Sequence, residues 1–423
     1  MADVRSLADR HEGRPLHRAD FAVAPAQGGI TAPAGFRTGA VHCGIKDDAS
    51  ALDLVVLAAD APASAAALFT RNLAQAAPVT VSREHIERAH GVARAVVVNS
   101  GCANACTGAE GLAHARRMAT ETAEAVGCAP QEVLVASTGV IGVALRIDRV
   151  VAGIRAAVPA MTRGSGSEAA RAIMTTDLSP KEHAATVQTP QGAFRVGGMA
   201  KGAGMIEPNM ATMLAFLTTD AAVSPALLQR ALETSARDTF NAITVDGECS
   251  TNDSVFALAS GASGVTVDDA TYPALLEGFL TASRELALGI VRGGEGATKL
   301  IAVTVSDASS VEAARQVART IANSPLVKTA IHGADPNWGR IVSAAGRAGV
   351  AFDVDRASVH IGGTLLFEHG VAHDERAPQA AEHLQGSTVQ LDVSLGSGGE
   401  ASATIWTCDL SAEYVRINGE YRT

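Results

Sequence analysis

Residues 201–218 read KGAGMIEPNMATMLAFLT, and the stretch changes character at its middle. Met213–Thr218 is a short run of Met, Leu, Ala and Phe, the pattern of a buried strand. The part before it carries Gly202, Gly204, Pro208 and Asn209, where a core would take Leu or Val. Downstream of Met213, helix and strand patterns alternate. Helix Pro225–Phe240 is followed by strand Val255–Ser260, helix Tyr272–Val291, strand Leu300–Val305 and helix Val311–Asn323. Upstream the spacing predicts strands over Leu52–Ala58 and Ala95–Asn99, then a helix over Ala109–Val126. In that helix Leu112, Ala115, Met118 and Ala119 fall on one face. Strand Glu132–Thr138 and helix Arg146–Val158 follow, and beyond Gly333 the pattern is mainly β, with Ser358–Ile361, Thr388–Leu395 and Ala403–Asp409 as strands. The alternation specifies an α/β protein with a smaller C-terminal lobe over about 306–423.

Composition narrows the function. The chain has 423 residues, enough for two to three domains or one large one, and 47% of them are hydrophobic. Its 34 basic and 44 acidic residues give a net charge of −10. An acidic chain with 4% aromatics has neither the electrostatic footprint nor the stacking surfaces that nucleic-acid binding uses. The most apolar stretch, Leu52–Phe69, contains Asp53, Asp60 and Pro62 and is too short and too broken to span a membrane. Residues 1–25 read as a polar, solvated tail; its arginines are matched by Asp3, Asp9, Glu12 and Asp20, unlike the acid-poor transit peptides. The closest cysteines, Cys102 and Cys106, have no second pair and no nearby histidine to build a zinc site. No metal is expected, and scattered reduced thiols fit a cytoplasmic protein.

Five segments do not look structural: Asn99–Gly108 (NSGCANACTG), Ala136–Gly142 (ASTGVIG), Lys201–Leu214, Asn241–Asp253 (NAITVDGECSTND) and Gly293–Lys299 (GGEGATK). Each falls at the end of an expected strand or helix, where functional loops collect. GGEGATK is not a phosphate loop, because Lys299 follows Thr298, with a helix before it and a strand after it. Gly202 and Gly204 do not continue into a dinucleotide fingerprint, since position 207 is Glu207. There is no G-x-S-x-G elbow and no H-E-x-x-H, so any nucleophile here works without histidine.

KGAGMIEPNMATML, NAITVDGECSTND, GADPNWGR (333–340) and the terminal DLSAEYVRINGEYRT (409–423) resemble the glutamate N-acetyltransferase / ornithine acetyltransferase family of arginine biosynthesis. The likeness runs from about Gly28 to Thr423. It implies a layered αββα-type fold and self-cleavage between Ala211 and Thr212 into an α chain ending at 211 and a β chain of 212–423, assembled as α₂β₂. It implies Thr212 as the nucleophile and Thr138 (hydroxyl) with Gly139 (N–H) as the oxyanion hole. Substrate contacts then fall on Thr175, Lys201, Thr212, Glu295, Asn418 and Thr423, with no cofactor. The chemistry is intelligible from the residues. Once cut, Thr212 carries a free α-amine, a base near neutral pH beside its own hydroxyl. Lys201 suits a carboxylate, Glu295 an ammonium, and the Thr423 carboxylate a cationic side chain.

The implied reaction takes acetyl from N2-acetyl-L-ornithine to L-glutamate through an acetyl-threonine. With a net charge of −10 and five lysines, polyanionic acetyl-CoA is expected to be a minor donor. Cys102, Cys249 and Gly293 depart from the family pattern, away from Thr212 and the oxyanion pair. Two other readings stay open: a self-cleaving N-terminal-nucleophile aminopeptidase or amidohydrolase, in which water is the acceptor, and a non-catalytic amino-acid sensor.

Overall fold

The computed structural model describes residues 16–207 and 213–420. Its organising strand is β3 (Leu54–Phe69), 16 residues long and buried at both ends but exposed at Asp60–Pro62. Proline cannot donate to a ladder, and here it sits where the pairing breaks, with a register shift between Ala58 and Ala63. The first half of β3 pairs with β2 (Phe36–Val41) and β4 (Val92–Cys102), the second half with β10 (Ser254–Ala259). One sheet of nine strands results, in the order β1-β6-β7-β8-β10-β3-β4-β5 with β2 also on β3. Its remaining members are β1 (Ala22–Ala26), β5 (Val133–Val140), β6 (Lys181–Thr189), β7 (Gly192–Lys201) and β8 (Leu214–Thr219).

The core residues show how the two arms of this sheet lie. One apolar cluster joins Val55, Leu57, Val96, Val98 and Leu134 from the β3-β4-β5 arm to Met199, Leu214, Phe216, Phe256 and Leu258 from the β7-β8-β10 arm. These faces meet each other. The alternate residues of the first arm, Leu54, Val56, Val97 and Val135, pack on Met118 of helix Gly108–Val126 and Ile154 of helix Ile147–Ala157. Those of the second arm, Val187, Val196, Leu217 and Val255, pack on Leu232 of helix Pro225–Arg237 and Phe279 of helix Tyr272–Arg292. The period-2 alternation of strands buried on both faces thus supplies three cores at once.

A two-stranded ribbon, β9 (Ala222–Val223) with β11 (Thr266–Val267), lies beyond β8 and β10. The second sheet has the order β15-β14-β13-β16-β12-β17 and begins with β12 (Leu300–Ala308). It is completed by β13 (Ser358–Ile361), β14 (Thr364–Glu368), β15 (Val371–Ala372), β16 (Thr388–Ser394) and β17 (Ala401–Cys408). Its core sets Val303, Val305 and Ile405 against Val317 and Ile321 of helix Val311–Ala322.

Two sequence expectations are corrected, and three elements are added that the sequence did not show. The polar tail does not extend to 25: Leu16 and Phe21 are buried in the core, and Ala22–Ala26 pairs with β6. The β6-β7 hairpin and helix Ala77–Arg88 carry charged or Gly-interrupted sequences that hid their periodicity. The region beyond Gly333 is less β-rich than its pattern, because helices Trp338–Gly346, Ala377–Leu384 and Ala412–Glu420 are short and Ala-, Gly- or charge-rich. No helix among the described residues is long and apolar enough to cross a membrane.

Phe256 is fully buried where the two arms meet, edge-on to Phe69 and Phe216 with ring centroids 5.9 and 5.8 Å away. Phe256→Ala is expected to destabilise the protein by about 3–5 kcal/mol in denaturant unfolding. A loss under about 1 kcal/mol would mean that the contact between the arms is not a close-packed core.

Candidate active site

The bend in β3 brings the ends of strands from both arms around one cavity of about 140 Å³. Its wall includes Thr138 and Gly139 from β5, Lys201 from β7, Thr175 from the loop before β6, Glu295 from the turn after helix Tyr272–Arg292, and Asn418 from the last helix. Six of the residues singled out in the sequence, drawn from five distant segments, therefore face the same space. Met213 and Leu214 line it too. Ala211, Thr212 and Thr423 lie outside the described residues.

The end of β5 is shaped by its neighbour. Where β4 and β5 run parallel, Gly101 faces Gly139 and the register then slips at Cys102, which pairs with Thr138 and Val140 and so lies beside the oxyanion pair, not away from it as expected from sequence. Gly139 has φ +127°, and a Cβ there would lie 2.3 Å from the Gly101 carbonyl carbon and 2.6 Å from Cys102 N. Only glycine fits, and bulges of this kind re-aim the residues beside them. A buried polar lattice fixes the strand end. Ser137 Oγ donates to Asn99 Oδ1 (2.6 Å), Asn99 Nδ2 to Cys102 O (2.8 Å), and Asn252 Nδ2 to both Ala103 O (2.6 Å) and Ser137 O (2.8 Å). Satisfied networks of this type hold one geometry.

Lys201 is 8% exposed, and its Nζ donates to Thr138 Oγ1 at 3.2 Å. Behind it, Asp177 Oδ1 accepts from Lys181 Nζ (2.6 Å) and Gly202 N (2.7 Å), while Oδ2 accepts from Thr175 N (3.1 Å). Burial raises the Asp177 carboxyl, but the ammonium groups of Lys201 and Lys181 with these donors outweigh it and hold the pKa at about 2. Burial also pushes the Lys201 ammonium below its usual range, against the pull of Asp177.

The opposite wall is acidic. Glu295 Oε2 accepts from Asn418 Nδ2 (2.8 Å), and a Cβ at Gly204 would lie 2.4 Å from that oxygen, so glycine leaves room for the carboxylate. Asp246 accepts from Met205 N (2.7 Å), Ile206 N (2.8 Å) and the Tyr414 hydroxyl (3.2 Å). Glu207 accepts from Thr244 Oγ1 at 2.9 Å and from Asn323 Nδ2. On the other side of 208–212, Met213 O accepts from Ser254 N at 3.1 Å. The backbone is thus fastened on both flanks of the segment that contains the expected cut.

Asp253 escaped the sequence reading. It is 2% exposed, lines the cavity, and its Oδ2 has no hydrogen-bond partner among the described residues. Burial pushes its pKa well above the carboxylate range. The signal was present in NAITVDGECSTND, where three acids accompany hydroxyls and amides, but nothing in that spacing separated Asp253 from its neighbours.

The model of the ArgJ family matches residues 37–423. A protein of Dehalococcoides mccartyi described as arginine biosynthesis bifunctional protein ArgJ is 48% identical over 402 residues, covering 94% of this chain and 98% of that one. Its counterpart of the same description in Symbiobacterium thermophilum is 47% identical over 402 residues, covering 94% and 99%. A solved chain of ornithine acetyltransferase complexed with ornithine, from Mycobacterium tuberculosis, is 42% identical over 45% of this chain and all of that one, with a TM-score of 0.41.

Asp253 gives a pH prediction. Burial raises the Asp253 carboxyl in the folded protein, so the folded state holds this proton to higher pH than the unfolded chain does. Stability must therefore fall as pH rises from the unfolded pKa toward the folded one. Asp253→Asn removes this term. The melting temperature of the variant is expected to gain on that of the wild type as pH rises above the ordinary Asp pKa of about 3.9. A difference that stays constant with pH would mean the acid is ionised in the folded protein.

Proposed function

The chain belongs to the ArgJ family, and from that premise we infer how its cavity works as the active site of an arginine-biosynthesis acetyltransferase. The enzyme is a glutamate N-acetyltransferase that moves an acetyl group from N2-acetyl-L-ornithine to L-glutamate, releasing L-ornithine and N-acetyl-L-glutamate. The observation that carries the site assignment is the convergence of Thr138, Gly139, Thr175, Lys201, Glu295 and Asn418 on one cavity that Met213 also lines.

The reading begins with self-cleavage. The Thr212 hydroxyl attacks the Ala211 carbonyl carbon, the C–N bond breaks, and the hydroxyl proton ends on the departing nitrogen. Water then hydrolyses the ester, leaving an α chain that ends at Ala211 and a β chain that starts at Thr212. The fastened flanks, Met205–Glu207 and Met213, support this step by holding the described chain on either side of the cut. In the transfer itself the new α-amine, with an ordinary pKa of about 7.7–8.0, takes the hydroxyl proton as Oγ attacks the donor amide. The Thr138 hydroxyl and Gly139 N–H receive the developing oxyanion. The protonated amine passes its proton to the leaving ornithine nitrogen, and glutamate reverses the sequence. Glu295 and Asn418 hold an ammonium in this reading, with Thr175 and Thr423 completing the contacts and Lys201 standing beside Thr138.

The three cores around the bent sheet support a layered αββα-type arrangement. The sheet that begins at β12 supports a smaller lobe over about 306–423. Assembly as α₂β₂ in the cytoplasm is part of the same reading.

Intact mass of the purified protein tests the cut. Two fragments, 1–211 and 212–423, are expected from the wild type, and full-length, inactive protein from Thr212→Ala. A wild-type chain that stays whole at neutral pH would sink the self-cleavage step.

Donor preference follows from charge. Asp246, Glu248 and Glu295 line the cavity with Lys201, so a polyanion meets acids on its way in. kcat/KM for glutamate acetylation is expected to be at least about tenfold higher with N2-acetylornithine than with acetyl-CoA. Equal values would refute the electrostatic argument.

A further inference from the structure

Lys201 and Thr138 come from strands that are not neighbours in the sheet, β7 and β5, yet their side chains touch. The direction of that contact has a chemical consequence. A lysine ammonium has three donors and no acceptor, whereas a hydroxyl has one hydrogen and acceptor lone pairs. In the 3.2 Å bond Nζ is the donor and Thr138 Oγ1 the acceptor. The hydroxyl hydrogen is then excluded from the side facing Nζ and left to the cavity that Thr138 lines. Thr138 Oγ1 has this one hydrogen-bond partner among the described residues. Its β-branched Cβ, on a strand paired with β4, restricts the arc that the oxygen can reach.

We propose that Lys201 is a positioning residue for the oxyanion hole, turning the Thr138 hydroxyl hydrogen into the cavity and polarising it from behind. This rests on the acyl-transfer reading and adds to it a division of labour. Thr138 touches the oxyanion; Lys201 acts through Thr138. The hydroxyl proton stays on Thr138 throughout, so no proton moves along the pair. As negative charge develops on the substrate oxygen, the O–H bond it receives is strengthened by the ammonium on the far side of the same oxygen, and hydrogen bonds in chains polarise one another.

The surroundings keep the ammonium in place. Asp177 stands behind it, fixed by Lys181, Gly202 N and Thr175 N. Glu295 acts on it electrostatically from the cavity side, opposed by Lys181. Because Lys201 is the last residue of β7, opposite Leu214 of β8, its backbone is held in the ladder and its side chain spans toward the other arm. A lysine placed only to meet a substrate carboxylate would have no need of a hydroxyl at hydrogen-bond distance.

A double-mutant cycle on the intact processed enzyme separates the roles, using wild type, Lys201→Met, Thr138→Ala and the double variant with N2-acetylornithine and glutamate. Lys201→Met is expected to lower kcat by about 10–100-fold with KM changed less than about threefold, the signature of an interaction made in the transition state. Thr138→Ala is expected to lower kcat by about 10²–10³-fold. The double variant should be no slower than Thr138→Ala, because Lys201 has nothing left to orient. Thr138→Ser, which keeps the hydroxyl, should retain the dependence on Lys201. If Lys201→Met does not fold, Lys201→Gln takes its place in the cycle, keeping a neutral donor near Oγ1.

Multiplying single effects in the double variant would overturn the inference and leave the acyl-transfer reading standing. So would a Lys201 variant that raises KM with kcat unchanged. Wild-type turnover in Thr138→Ala would overturn the oxyanion-hole assignment itself, and the inference with it.

Discussion

A lysine ammonium taken out of water is costly unless charge and hydrogen bonds are arranged around it, and the site is arranged around Lys201. Asp177 is the counter-charge, but it does not touch Lys201 directly. Its oxygens are taken by Lys181, Gly202 N and Thr175 N. The carboxylate therefore joins the Thr175 loop, the start of β6 and the turn after β7 while it balances two ammonium groups. Removing it would leave Lys201 and Lys181 facing each other in a buried space. The position of Thr138 depends on the same charge, one bond further out.

That charge can reach Thr138 only because the sheet bends. In a flat sheet of this strand order β7 and β5 would be separated by four strands, β8, β10, β3 and β4. The break at Ala58–Ala63 in β3 turns one arm over the other, and the shared apolar core of Val96, Leu134, Phe216 and Phe256 holds them face to face. Burial on that inner face is the main favourable term, and the cavity is where the inner face reaches the strand ends. Active-site geometry and core packing are consequently one problem. A shift between the arms would separate Lys201 from Thr138 before it exposed much apolar surface.

The sequence made the alternation of strands and helices legible, since Val- and Leu-rich runs and 3.6-residue periodicity survive without tertiary information. It also marked the loops, because Gly, Asn and hydroxyl residues replace core residues there. The bend was hidden. Leu52–Phe69 showed an apolar run broken by Asp60 and Pro62, but whether such a break ends a strand or kinks it is decided by partners far away, β2 and β10. The β6-β7 hairpin was hidden for a different reason: Gly192, Gly197 and Gly198 and the charged Lys181 and Glu182 mask its alternation. In the site, Thr138, Lys201 and Glu295 were found through resemblance and chemistry together. Asp253 was not, because a buried unpaired oxygen is a property of three-dimensional surroundings.

The partners assigned to Lys201 and Asp253 differ from what charge alone would suggest, and the difference has a physical logic. Charge alone favours a direct ion pair between a lysine and an acid in one cavity. Here Lys201 is spent on a hydroxyl, and Asp253 keeps an oxygen without a partner. An ion pair would satisfy both groups with each other, whereas this arrangement leaves the Thr138 O–H and the Asp253 carboxyl facing the cavity. Unsatisfied buried polarity lowers stability, and the four apolar clusters of the fold offset it. Preorganisation at a transfer site is obtained in this way, by withholding a local pairing that folding alone would favour and letting the arms of the sheet hold the groups apart.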